Sequence, residues 1–255
     1  MNINETRNEI DKIDGEIARL FERRMLAAGK ISAYKKANRL PLYDASRERD
    51  VIEGRAAAAS DALRQYVKQL FQTLTALSKG YQLQSVLEKN IVLIGMMGSG
   101  KSEKGRLLAE RAGMRFIDSD EEIAREQGMT VPEIFAQYGE REFRLLESKK
   151  IAEIAALKRH VIATGGGVPL CDGNMEKLKE GGVVVFLHRD IDETARTLGT
   201  AGRPLLQDGA EVLYALYRDR LPLYRKWRDV ECCASGAISA AVDEVITALF
   251  EYAIA

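Results

Sequence analysis

The chain has little of what marks a disulfide-bonded, metal-binding or membrane protein. Its 255 residues include three cysteines, Cys171, Cys232 and Cys233. The count is odd and none stand as C-x-x-C, which argues for free thiols in a reducing compartment and against a zinc site. The two histidines, His160 and His188, lie far apart without ligand spacing. No apolar run is long enough to span a bilayer. Acidic and basic residues balance at 38 each, so no overall basic field points to nucleic acid. The opening M-N-I-N-E-T-R-N-E-I is polar and mixed in charge, so a secretory signal is not expected and the cytoplasm is the expected location. Proline is scarce too. Pro41 is the only one in residues 1–89, and nothing there alternates as a strand does, so that segment reads as all-helical.

What is present falls into two patterns that meet at residues 89 and 90. In the first, Ile3, Ile10, Ile17, Arg24 and Ile31 recur every seventh position, with Ile13, Leu20, Ala27 and Tyr34 as the companion row. That is the seam of a helical pair, sustained over roughly four heptads. One helix from about residue 4 to residue 38 would be roughly 50 Å long. A domain of this size has nothing that long to cover it, so a second copy of the chain is expected alongside, forming an intertwined helical dimer. Asp44 or Ser46 suits the start of a short second helix. A third is expected from near Asp61, with Leu63, Val67, Leu70, Leu74, Leu77 and Tyr81 as its apolar face and Ser78 and Gln82 beside it. Arg24 interrupts the isoleucine row. Arg7 and Lys35 flank it on the same helix. The three cations either await an anionic ligand or set register in a coiled coil and reach out to solvent. Residues 78–89 contain neither proline nor a glycine-serine run and read as a short helical connection.

From residue 90 onward strands alternate with helices. Strands are expected at 91–94, 115–117, 161–163 and 183–187, giving a parallel sheet covered on both faces. Residues 95–102 read G-M-M-G-S-G-K-S, directly after Ile91-Val92-Leu93-Ile94 and before a helical pattern. Strand, glycine-rich turn and helix is the setting of a P-loop. Its backbone N–H groups cradle phosphates, Lys101 reaches the β- and γ-phosphates, and the Ser102 hydroxyl ligates Mg²⁺. Asp118-Ser119-Asp120 and Gly165-Gly166-Gly167 fall at two further strand ends, where ligands of such sheets sit. Two carboxylates there suit a metal-linked position and a base, while helix capping by Asp120 is the plainer alternative. Arg144, Arg196, Arg203 and Arg225 could serve phosphates and a carboxylate. Arg196 and Arg203 bracket small residues able to move as a lid.

The first segment, with Arg7, Arg24, Lys35, Asp44, Arg47, Glu48, Ser78 and Gln82 in order, resembles the all-helical chorismate mutases. The resemblance implies isomerisation of chorismate to prephenate without metal or cofactor. It implies that Arg7 enters from the partner subunit and clamps the carboxylates with Arg24, helped by Arg47 and Ser78. Asp44 and Glu48 would stand near the substrate hydroxyl, and Lys35 and Gln82 on the ether oxygen. The second segment, with its P-loop, D-S-D, G-E-R-E-F-R, GGG, R-P-L-L and P-L-Y-R, resembles shikimate kinase. That implies ATP and Mg²⁺, with Gly95, Gly98, Ser99, Gly100, Lys101, Ser102, Arg196 and Arg203 at the nucleotide. Asp120, Arg144, Gly166, Gly167 and Arg225 would hold shikimate. Asp120 would be the base, Lys101 and Arg203 the partners of the transferring phosphoryl group, and Ser102 and Asp118 the metal side. Glu103 stands where that family usually has Thr or Ser, and the stretch around Cys232–Gly236 lacks the usual adenine-side Arg. The reading is a two-activity enzyme, 1–89 mutase and 90–255 kinase. The alternative is a kinase whose first domain senses chorismate or prephenate and dimerises. A third keeps the P-loop and changes the acceptor.

Overall fold

The computed structural model describes residues 2–41, 44–197 and 210–254. The first segment is three helices: α1 (Ile3–Ala37), α2 (Ala45–Ala57) and α3 (Arg64–Val86). Asn2 caps α1 by accepting from the Asn4 amide, with Glu5 in the first turn and Lys35 and Lys36 in the last, so both ends match the helix dipole. The only buried residues of α1 are Met25, Ala28 and Ser32. Ile10, Ile13, Ile17 and Leu20 stay 48–59% exposed. The apolar seam is therefore on the helix, and a single chain leaves it uncovered. Among the described residues no helix is long and apolar enough to cross a membrane.

Helix α3 departs from expectation. It begins at Arg64, with Leu63 at its cap position and no side-chain capping bond. Two residues of its expected face, Leu63 and Leu70, are 56% and 51% exposed. The buried residues are instead Thr75, Ser78, Gly80, Leu83 and Val86. The helix answers to neighbours on two sides. Its middle packs on α1 and α2, and its last turns touch both domains at once: Ser85 Oγ donates to Ser32 Oγ at 3.1 Å and Lys36 Nζ to the Val86 carbonyl at 2.9 Å, while Leu83 and Val86 are buried in the second domain.

That domain is a five-stranded, all-parallel sheet in the order β2-β3-β1-β4-β5. Its strands are β1 (Asn90–Ile94), β2 (Arg115–Asp118), β3 (His160–Ala163), β4 (Gly182–His188) and β5 (Val230–Cys233). Alternation along β1 sorts the core. Ile91 and Leu93 face α4 (Lys101–Ala112) and α10 (Ile238–Ile254). Val92 and Ile94 face α6 (Val131–Ala155), α7 (Asp172–Gly181) and α9 (Ala210–Trp227). A smaller cluster joins Ile123 of α5 (Ser119–Gln127) to Ile134 and Phe143 of α6. A short α8 (Ile191–Thr197) follows β4. Strand β5 was not expected, and it places Cys232 and Cys233 in the sheet rather than in a loop.

The junction is helical and packed. Leu83, Val86 and Leu87 are buried in one cluster with residues of α4 and α10. A Cβ on Gly80 would stand 1.7 Å from the Arg111 carbonyl oxygen. Only glycine lets α3 lie this close to α4. Gln84 Nε2 donates to the Gly113 carbonyl at 3.2 Å, and Arg111 pairs with Asp243 at 2.9 Å.

Candidate active sites

Residues 95–102 leave the end of β1 and enter α4, so the loop sits where the sheet order turns back on itself. The Lys101 ammonium is buried and donates to the carbonyls of Gly95 and Met96 at 2.8 and 2.9 Å. The Ser102 hydroxyl donates to Asp118 Oδ2 at 2.5 Å. Asp118 ends β2 and also caps α5, its Oδ1 accepting from the Asp120 amide at 3.0 Å. Capping thus falls to Asp118 and leaves Asp120 free to face inward. Asp120 Oδ1 is buried without a hydrogen-bond partner among the described residues. Burial, then the nearby Asp118 and Glu147 carboxylates, push its pKa up to about 7, against the pull of Lys101 and Arg144.

The glycines after β3 make room for these groups. A Cβ on Gly165 would stand 2.6 Å from Asp120 Oδ1, and one on Gly167 would stand 2.4 Å from the Arg144 guanidinium. Arg144 lies on α6 just past its bend at Gly139. It donates to both oxygens of buried Glu147 at 3.0 and 2.9 Å and to Glu140 at 2.9 Å. Burial opposes the charge of Arg144, and the two carboxylates outweigh that, so its pKa is raised. The Gly166 carbonyl accepts from the Tyr224 hydroxyl at 2.7 Å and from Arg220 at 3.3 Å. A buried carboxylic acid, two cations and the cradle therefore converge on one cleft.

A second cleft, about 170 Å³, opens between α1, α2 and α3. Arg24 and Lys35 line it from α1, Asp44, Arg47 and Glu48 from the start of α2, and Ser78 and Gln82 from α3. Arg24 Nη1 donates to the Leu74 carbonyl at 3.0 Å and to the Ser78 hydroxyl. Burial lowers its pKa, and no acidic group among the described residues offsets this. Gln82 Nε2 is tied to the Ala28 carbonyl at 3.1 Å, and Glu48 pairs with Lys79 at 2.8 Å. Asp44 caps α2: the Arg47 amide and the Ser46 hydroxyl hold its pKa down.

Residues 97–250 match the family model for shikimate kinase. The chain belongs to the shikimate kinase family. Ahead of that match, residues 6–83 match the model for chorismate mutase type II. A shikimate kinase of Thermodesulfovibrio yellowstonii is 46% identical over 141 residues, 54% of this chain and 82% of that protein. One from Persephonella marina is 41% identical over 149 residues, 58% of this chain and 90% of that protein. Among solved structures, shikimate kinase from Acinetobacter baumannii in complex with shikimate aligns with a TM-score of 0.60 at 38% identity, covering 62% of this chain and 90% of that one.

In the kinase half, Lys101, Ser102, Asp118, Asp120, Arg144, Gly166 and Gly167 come together as expected. Arg225 does not. Its side chain is half exposed and turned to Glu231 at 3.9 Å. The cation at the cleft is Arg220, 5% exposed. The two lie five residues apart on α9, about 140° round the helix, so only one can face inward. Arg196 is exposed on α8, its Nε on the Asp192 carbonyl at 3.1 Å. Arg203 and the rest of the expected lid lie outside the described residues. Glu103 is exposed, turned out where it does not crowd the cradle. Sequence reasoning named Gly165 in the triple glycine without a role of its own, and it missed Glu147 and Arg220. Glu147 stands one helical turn after Arg144, which is the signal that a paired carboxylate was present. In the mutase half, seven of the eight expected residues line the one cleft. Arg7 is exposed on the same continuous helix, about 26 Å along from Arg24.

Proposed function

We propose that the chain is a two-site enzyme: residues 90–255 transfer the γ-phosphoryl group of ATP to the 3-hydroxyl of shikimate, and residues 1–89 isomerise chorismate to prephenate. The observation that carries this reading is that each half holds its own set of charged groups in a separate cleft.

In the kinase half Asp120 is the base. Its raised pKa suits accepting the hydroxyl proton as the oxygen attacks phosphorus and ADP leaves. Arg144 and Arg220 take the substrate carboxylate. Lys101, and by resemblance Arg203, meet the charge of the transferring group, and Arg196 reaches toward adenine. Asp118 and Ser102, a carboxylate and a hydroxyl already in contact, are hard oxygen donors that fit Mg²⁺. The ion would supply charge neutralisation at the β- and γ-phosphates.

In the mutase half no cofactor is called for. A C–O bond breaks as a C–C bond forms, and Lys35 and Gln82 stabilise negative charge growing on the ether oxygen. Arg24 takes a carboxylate, which provides the anion its own chain lacks. Arg7 is too far along α1 to reach its own cleft, and the uncovered seam of α1 gives a second copy a surface to pair on. We therefore take the unit to be a homodimer in which Arg7 crosses over. Mixing Arg7→Ala and Arg24→Ala chains should restore mutase activity to about a quarter of the sites. Failure to restore any, with mixed dimers demonstrated, removes the crossover. The free thiols fit a cytoplasmic protein.

The test of two sites is an assay of both reactions on one preparation. Arg24→Ala should abolish only the mutase and Lys101→Ala only the kinase. If either folded variant loses both, the two-site reading is wrong. A second reading, a sensor domain, draws on α3, which carries Ser78 and Gln82 and ends in the kinase core. No chorismate turnover, together with a prephenate-dependent shift in kinase kinetics, would favour it.

A further inference from the structure

Two cations brace the P-loop from behind, and neither enters the chemistry above. Lys104 stands on the first turn of α4 and is only 7% exposed. Its Nζ donates to the Ser99 carbonyl at 3.0 Å and lies 2.5 Å from where a Cβ on Gly100 would stand. Arg189 follows β4, and its Nη1 donates to the Gly98 carbonyl at 2.9 Å. Its other end is anchored. Nη2 donates to Glu193 Oε1 at 2.8 Å, and Glu193 Oε2 accepts from the Ser235 hydroxyl at 2.6 Å. Consecutive carbonyls of the loop are thus each held by a separate cation.

Peptide geometry converts this into an effect on the ligand side. In a trans peptide the C=O and the following N–H point to opposite sides of the chain. A Ser99 carbonyl fixed on Lys104 turns the Gly100 N–H the other way. A Gly98 carbonyl fixed on Arg189 turns the Ser99 N–H the other way, where it closes the loop on the Met96 carbonyl at 3.2 Å. An anion-binding concavity gains affinity when its N–H groups are set before the ligand arrives. Packing alone does not call for an ammonium here, because a methionine would fill the space without desolvating a charge. Burial and the nearby Arg189 both work against the charge of Lys104, partly offset by Glu103 and Glu193. A polyphosphate on the other side of the loop supplies further anionic charge.

We infer that Lys104 and Arg189 are positioning residues for the nucleotide, holding the Ser99 and Gly98 carbonyls outward so that the Gly100 amide is preset toward the phosphates. The inference rests on reading residues 90–255 as a nucleotide-dependent kinase.

The test is calorimetric titration of the full-length chain with MgADP. Lys104→Met and Arg189→Met should each weaken binding roughly tenfold. The KM for ATP should rise in proportion, with the KM for shikimate, kcat at saturation and chorismate turnover within about twofold. The double variant should lose less than the product of the single losses, because both cations act on one loop. Glu193→Gln, which releases the anchor of Arg189 without touching the loop, should give part of the Arg189→Met loss even if Lys104→Met fails to fold. Unaltered MgADP affinity in the folded variants overturns the inference alone. An equal loss in both activities with a lowered Tm also overturns it, because it marks a merely structural role. A wild-type chain that binds no MgADP sinks the kinase reading and this inference with it.

Discussion

Arg24 and Arg144, each proposed to meet a substrate carboxylate, lie in different halves of the molecule, and their surroundings are opposite. Arg144 is met by Glu147 and Glu140, which keep it charged and aimed despite burial. Arg24 is met by a carbonyl and a hydroxyl, and burial works against its charge unopposed. Arg144 is thus paired within its own chain before substrate arrives. The mutase cleft carries a cation whose balancing anion must come with the ligand.

The largest test of that contrast is Asp120→Asn. Losing the base should lower kinase kcat about 10³-fold with chorismate turnover unchanged, measured side by side. Next is Arg24→Met. Mutase kcat/KM should fall about 10²-fold, while Tm holds or rises, because a poorly compensated charge leaves a partly buried site. Arg144→Met should do the reverse to stability, costing about 3 kcal/mol by leaving buried Glu147 unpaired. Equal Tm losses for the two would break the comparison. A smaller effect separates Arg220 from Arg225. Arg220→Leu should raise the KM for shikimate at least tenfold or so, and Arg225→Leu should leave it within about twofold.

The smallest effect is on stability against pH. Asp120 titrates near 7 in the folded chain against 3.8 ordinarily. Below about pH 4 the carboxyl is neutral in both states and its contribution to stability is fully present. As pH rises the unfolded chain gives up its proton first, so stability drains at up to about 1.4 kcal/mol per pH unit until the folded pKa is passed. The Tm advantage of Asp120→Asn over the parent should therefore grow from pH 5 to pH 7.5 and then level. The same carboxyl predicts an acid limb near pH 7 in kinase kcat/KM. An advantage that shrinks with pH contradicts the placement of Asp120.

Much of this was legible from residue order. The P-loop, the paired aspartates and the triple glycine announce themselves because strand ends and glycine turns are local features. In the mutase half, helical spacing pointed to Arg24, Lys35, Ser78 and Gln82, and the resemblance to the all-helical chorismate mutases supplied Asp44, Arg47 and Glu48. What sequence did not resolve depends on rotation and on neighbours. Arg220 and Arg225 flank the same Leu-Pro-Leu-Tyr stretch, and only the orientation of α9 decides between them. The apolar face expected on α3 assumed one partner, whereas its last turns meet α1 on one side and the second domain on the other. Strand β5 escaped notice because V-E-C-C carries charge and lies at the sheet edge, where alternation is weak.

The contact at Gly80 has a genetic consequence. It belongs to neither cleft, yet Ser78 and Gln82 lie within two residues of it, and the helix it touches begins with Lys101 and Ser102. A side chain there would have to push apart the two helices that carry both sites. One missense change at this codon should therefore behave as a double auxotrophic lesion, failing to complement strains that lack either enzyme, although it maps to no catalytic residue of either.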